Sequence, residues 1–268
     1  MERFLREHFR KGVIWLAAFI IFTLLIKVID VKAIGPEGTK VGFAALNGFV
    51  FKLLGQHVFF EKLTKILGIL ALLAAAGFGV VGLLQFLKTK SLRDVDREII
   101  VLGVFYIIVL LAYVFFELCI VNYRPVILDD GIEASYPSSH TVLVICIMAT
   151  APGQIYRLTQ NRSLYDAARY ASFIIIAVMV IGRLISGVHW FTDIIGGILL
   201  SAALVYFYNG ALELFGFDPA PDNGTGSKTP FKISFRLPEA PRGSHSAPED
   251  SAAASGRSSG RGGSHLAK

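Results

Sequence analysis

IIVLGVFYIIVLLAYVFFELCIV, residues 99–121, carries Glu117 as its sole charge and is followed at once by Asn122-Tyr123-Arg124-Pro125. A helix needs about 20 apolar residues to cross a hydrocarbon core of about 30 Å, so this run is long enough to span. Five further stretches approach the same length: 13–29, 63–87, 138–156, 170–187 and 193–214. None alternates with period 2, which excludes a β-barrel. The reading is therefore an all-α integral membrane protein, a six-transmembrane helix bundle over residues 1–215. Residues 41–60 are apolar but interrupted by Asn47, Lys52, Gln56 and His57. They read as an interfacial helix in the first outer loop, with a spanning helix as the alternative. Residues 216–268 turn to Gly, Ser, Pro and Ala without apolar periodicity, the composition of a disordered cytoplasmic tail.

The 268 residues are 54% hydrophobic with a mean hydropathy of +0.59, too apolar for an ordinary soluble domain. The formal charge of +6 sits at the ends and in a few loops, which speaks for membrane-surface contact rather than nucleic-acid binding. Arg3, Arg6, Arg10 and Lys11 precede the first apolar run, but no small-residue cleavage site follows it, so an uncleaved first span is expected. Cys119 and Cys146 both lie in apolar runs and read as packing thiols without a disulfide. Only four residues separate Cys119 from Arg124, one short of the loop that a cysteine phosphatase needs.

Basic residues set the orientation. Lys88, Lys90, Arg93 and Arg97 occupy one loop and Arg157, Arg162 and Arg169 another, both on the side of the N-terminus; this side is expected to be cytoplasmic. Lys32, Lys40, Lys52 and Lys62 in the first outer loop weaken the bias. The opposite, extracytoplasmic side then holds both Tyr123–His140 and Ser186–Asp193, because alternating helices return these loops to one face. The cell membrane is the expected location.

Three short motifs meet on that face. His189 and Asp193, spaced i and i+4, read as neighbours on a helix face, with the carboxylate fixing the imidazole tautomer and leaving the other nitrogen free to attack. Such a pair also occurs as a structural contact or in a metal site. Arg183 stands six residues before His189 at the end of a span, where a guanidinium is costly without a partner. A phosphate is one partner; Glu117, Asp193 or snorkelling to the interface are the ordinary ones. Pro125 ends the third span and aims Arg124 away from the helical region. Pro137-Ser138-Ser139-His140 opens the fourth span: serines there are ordinarily caps, but the same helix start offers N–H groups to an anion, and His140 is a candidate proton donor.

Arg-Pro, Pro-Ser-x-His and Arg-x5-His-x3-Asp, in this order on hydrophobic helices, resemble the type 2 phosphatidic acid phosphatase superfamily of membrane lipid phosphatases, over residues 117–193 in motif and about 1–215 in layout. The resemblance implies His189 as a nucleophile forming a phosphohistidine, Asp193 as its orienting group and His140 as general acid. It implies that Arg124, Arg183, Ser138 and the Ser139 backbone hold the phosphoryl oxygens, with no metal and no cofactor.

Three positions depart from the pattern. The family's first motif opens with a lysine where this chain has Glu117, its third with a serine where this chain has Gly182, and Ser139 replaces a glycine. A carboxylate about 4 Å from a phosphate charge is repelled by roughly 4 kcal/mol at an effective dielectric of 20. One preorganised donor is worth about 10²–10³ in rate. Glu117 reads as a partner for Arg124 or as a carboxyl protonated in the membrane, and Asp129, Asp130 and Glu133 read as a solvated acidic loop, with repulsion of highly charged headgroups or recruitment of a cation that screens a diphosphate as the alternatives. The expected activity is metal-independent hydrolysis of a lipid phosphate or diphosphate, isoprenyl or phosphatidyl, with membrane lipids as surroundings and no nucleic acid. The alternatives are a weakened or inactive member that binds lipid phosphates as scaffold, receptor or transporter, and a metal-dependent hydrolase using His140, His189 and Asp193 as ligands. Oligomeric state is not legible.

Overall fold

The computed structural model describes residues 2–128 and 131–217. Seven helices follow in order: α1 (Glu2–Val28), α2 (Ala44–Leu54), α3 (Val58–Thr89), α4 (Arg97–Leu118), α5 (Ser139–Thr159), α6 (Arg162–Ile185) and α7 (Phe191–Leu214). All but α2 contain a stretch long and apolar enough to cross a membrane. The 11 residues of α2 rise about 16 Å, which removes the spanning alternative for 41–60. Between α1 and α2 a two-stranded ribbon, β1 (Lys32–Ala33) and β2 (Lys40–Val41), pairs antiparallel. The tail expectation falls, from residue 218 onward, outside the described residues, as do Asp129 and Asp130.

The bundle is organised around α5 and α7, its two most buried spans. α5 packs on α3, α4, α6 and α7, while α7 takes α1 on its other side. Leu73, Leu111 and Phe173, on the other helices, turn outward with relative exposures of 62%, 61% and 72%, as lipid-facing residues must. Inside, Phe19, Phe105, Val142, Leu200 and Tyr208 belong to one apolar cluster, and Ala71, Val144, Ile147 and Met179 to a second between α3, α5 and α6.

Close approach at one end of α7 fixes the motif loops. Tyr136 lies against α7 at Gly196, where a Cβ would stand 2.4 Å from its ring. Its ring stacks on Phe19 and its hydroxyl hydrogen-bonds Thr23 at 2.8 Å, so α1, α7 and the α4–α5 loop lock together. α2 closes the same end: Asn47 donates to Thr192 Oγ1 at 3.0 Å and accepts from the Thr192 N–H at 3.2 Å.

Candidate active site

The α4–α5 loop (119–138) and the α6–α7 loop (186–190) form the site. In the first, an antiparallel bridge pairs Tyr123 with Ala134, the Arg124 N–H donating to the Glu133 carbonyl at 3.1 Å and the Ser135 N–H to Asn122 at 2.9 Å. The bridge sets Arg124 beside Glu133, whose carboxylate comes within 2.8 Å of its Nε, although the N–H is not aligned along that contact. Arg124 thus pairs with Glu133 and not with Glu117, one of the two alternatives for that carboxylate, and Glu133 is an ion-pair partner rather than a free loop charge. The indole N–H of Trp190 donates to the Tyr123 carbonyl at 2.8 Å, tying the two loops.

His189 and Asp193 meet, but not across a helix face. α7 begins at Phe191, so His189 lies in the loop and Asp193 occupies the third helical position. There its Oδ2 accepts from the Trp190 N–H at 2.8 Å, capping the helix start where a carboxylate is favoured, and stands 3.7 Å from His189 Nδ1. Asn122 adds a long contact, 3.4 Å, to Asp193 Oδ1. His189 Nδ1 is 3.1 Å from the Ser135 carbonyl, and its Nε2 is 2.9 Å from Arg183 Nη2. A guanidinium only donates, so Nε2 carries the lone pair and Nδ1 the proton. Burial, followed by the charges of Arg183, Arg124 and His140, holds the His189 pKa well below its ordinary 6.5. The ring is neutral near pH 7.

Arg183 is 1% exposed near the end of α6, and its Nη1 reaches Thr64 Oγ1 at 3.4 Å. Among the described residues Arg183 pairs with Thr64 and His189 rather than with Glu117 or Asp193, and burial rules out snorkelling. Gly182 explains the contact: a Cβ there would stand 2.8 Å from Thr64 Cγ2, so a bare backbone at 182 lets α3 bring a hydroxyl to Arg183.

Two cavities share His140 and Lys65 in their walls. A polar one of about 380 Å³ is lined by Arg124, Arg183, His140, Lys65, Glu61 and Glu133. A mainly apolar one of about 490 Å³ runs between α3, α4 and α5 along Leu72, Val109, Leu110, Phe116 and Leu143; it also meets His140 and Lys65. His140 fits against Gly68 of α3, where a Cβ would sit 3.1 Å from its ring. On the wall of the polar cavity, Arg183 Nε, and Arg124 Nε despite its ion pair, are buried donors without a hydrogen-bond partner among the described residues. The unpartnered nitrogen Nδ1 of His140 is buried with them. Other buried polar atoms without a partner lie elsewhere, at Gln154 and Thr39 for example, but these three nitrogens belong to residues lining one pocket.

Arg124, Arg183, His140, His189 and Asp193 are thus brought together. Ser138 is not on the pocket wall: its Oγ accepts from Thr141 at 2.9 Å and its N–H donates to the Asp193 carbonyl at 3.0 Å. Ser139 and Glu117 line the apolar cavity. Among the described residues no three His, Cys, Asp or Glu side chains gather as a metal site. Cys146 is buried, whereas Cys119 caps the end of α4 exposed, not packed as expected. Sequence reading missed Thr64, Lys65 and Asn122, and named Glu133 without its pairing to Arg124. A Thr-Lys pair opening an otherwise apolar span was the available signal for the first two; the others are visible only through the bridge that pairs their segments.

Residues 100–213 match the sequence model of the PAP2 superfamily. No curated protein matches the chain. Among solved structures, a transmembrane PAP2-type phosphatidylglycerolphosphate phosphatase from Bacillus subtilis superposes with a TM-score of 0.52 at 18% identity, covering 76% of this chain and 96% of that one. That likeness concerns the fold, while the family match covers the segment holding all three motifs. Residues 100–213 of this membrane protein, the segment that holds all three motifs, are therefore similar to the PAP2 superfamily.

Proposed function

We propose that the chain is a membrane lipid phosphatase that removes a terminal phosphate through a phosphohistidine at His189. One observation carries the reading: two arginines and a histidine with unsatisfied buried nitrogens line a pocket beside a neutral His189 whose Nε2 lone pair is held by Arg183. A phosphoryl group entering the pocket competes for the Arg183 guanidinium and releases Nε2. The phosphatase named for the structural neighbour is consistent with this class of substrate.

The chemistry proceeds in two steps. Nε2 attacks phosphorus, the N–P bond forms, and the bond from phosphorus to the lipid-side oxygen breaks as His140 gives that oxygen a proton. The positive charge developing on His189 is met by Asp193 and the Ser135 carbonyl on its Nδ1 side. His140 then takes a proton from water, which attacks the phosphohistidine; the N–P bond breaks and phosphate leaves. Arg124 and Arg183 stabilise the equatorial oxygens in both steps. The apolar cavity beside His140 suits a lipid chain, isoprenyl or acyl, with the headgroup in the polar pocket.

Ser138 enters this reading through its place in the scaffold: its N–H ties the start of α5 to Asp193, and its hydroxyl is engaged by Thr141. Glu133 on Arg124 favours a second reading, a phosphate binder with weak turnover, because phosphate must displace or tolerate that carboxylate.

Phosphate release from phosphatidic acid and from an isoprenyl diphosphate, by detergent-purified protein in the presence of chelator, tests the proposal. Release is expected from wild type, with a fall of at least about 10⁴-fold in His189→Ala, the scale on which nucleophile removal acts. Binding without release would favour the second reading, and metal-restored release would overturn the mechanism.

A further inference from the structure

Among the described residues, Lys65 is the lysine or arginine that lines both cavities, and His140 lines both beside it. It lies two turns inside the motif end of α3, and from Ile66 to Leu87 that helix holds no other charge. A lysine in a spanning helix is costly unless it faces a polar cavity or a partner. Its partner is Glu61, one turn earlier, with Nζ to Oε1 at 2.7 Å. The two side chains differ in burial: Glu61 is 13% exposed and Lys65 54%, so the ammonium is the more accessible member. Both line the pocket that holds Arg124 and Arg183. Position 117, where the first motif has a cation, carries a carboxylate that lines only the apolar cavity.

We propose that Lys65 is a third phosphate-binding cation of this site, supplied by α3 and contacting the substrate on its lipid-proximal side. Glu61 restrains it until an anion arrives. This rests on the reading of the site as a lipid-phosphate pocket. Lys65 stands where a tail in the apolar cavity would join a headgroup in the polar one, so its ammonium meets the oxygens nearest the lipid chain. Phosphate exchanges the Glu61 carboxylate for its own oxygens, and Glu61, on the same wall, opposes the incoming charge.

Opposite signs separate this role from a structural ion pair. Phosphate release from dioleoyl phosphatidic acid, measured as kcat and KM on the full chain in detergent, is compared for Lys65→Gln, Lys65→Arg and Glu61→Gln. Lys65→Gln is expected to raise KM about tenfold or more, the scale of a charge-assisted hydrogen bond. Lys65→Arg is expected to stay within about threefold of wild type, and Glu61→Gln to lower KM. If the pair only braces α3, both glutamine variants lower the melting temperature together and leave KM alone, which overturns the proposal. If wild type releases no phosphate, the phosphatase reading fails, and equilibrium binding of radiolabelled dioleoyl phosphatidic acid decides the matter. Weaker retention by Lys65→Gln then upholds the third cation, while equal retention, or none by wild type, overturns it.

Discussion

At the scale of single residues, His189 is governed by what surrounds it rather than by what it is. Its Nδ1 faces the Ser135 carbonyl and the Asp193 carboxylate, and its Nε2 faces Arg183. The carboxylate alone would favour the imidazolium, but burial and two guanidiniums win and push the pKa below 6.5. The sign of the pH dependence follows. In the proposed mechanism neutral His189 is the attacking form and persists above its own pKa, so its limb in kcat/KM is expected on the acid side of pH 6.5, with activity falling as pH drops through it. Arg124→Gln removes one of the charges that keep the ring neutral, so the limb moves up toward 6.5. The same change costs about 10²–10³ in kcat/KM through the lost phosphate donor. A pH–rate series on both proteins checks this; a wild-type limb at or above 6.5, or one unmoved by the substitution, contradicts the assignment.

Among the elements, the contact between α3 and α6 shows what a departure from a motif means in three dimensions. Read along the chain, Gly182 is a missing hydroxyl. In the bundle it is the space that Thr64 fills, and Thr64 brings a hydroxyl to Arg183 from a helix 119 positions earlier. Thr64 is a poor candidate to yield: it is fully buried, stiff at χ1, and its hydroxyl donates to the Phe60 carbonyl at 2.8 Å. Gly182→Ser is therefore expected to overpack the contact, costing about 1–3 kcal/mol and lowering the melting temperature. Thr64→Ala in the same chain should recover most of that loss. A double-mutant cycle on thermal unfolding in detergent reads the coupling; strictly additive effects would mean that the two helices do not press on each other here. The same contrast separates what was legible from what was not. Spans declare themselves because a membrane demands a long apolar run, and the three motifs are local strings. The i, i+4 spacing of His189 and Asp193 suggested a helix face, whereas the pair forms across a helix cap that puts Asp193 at the third position of α7. Glu133 on Arg124, Thr64 on Arg183 and the exposure of Cys119 depend on segments meeting, and no local period records that.

For the whole molecule, the open quantity is which way the bundle faces. Helix alternation puts the ribbon, α2, and the α4–α5 and α6–α7 loops at one end, and the Lys88–Arg97 and Arg157–Arg169 segments at the other. The loop bias points the second end to the cytoplasm, and Lys32, Lys40, Lys52 and Lys62 at the first end work against it. Some of that counterweight is compensated locally, since Lys32 pairs with Asp30 at 2.7 Å. The chain carries its own reporter. It has two cysteines; Cys146 is buried in the bundle, and Cys119 is exposed at the end of α4, five residues before Arg124. A membrane-impermeant maleimide added to intact cells expressing the protein is expected to label Cys119, and Cys119→Ser to abolish the label. In the Cys119→Ser background, Lys40→Cys on β2 should label in intact cells and Arg93→Cys in the α3–α4 loop only after permeabilisation; both positions are exposed. The reverse pattern would put the phosphate pocket in the cytoplasm, and would mean that the lysines of the first loop outweigh the arginines of the other two.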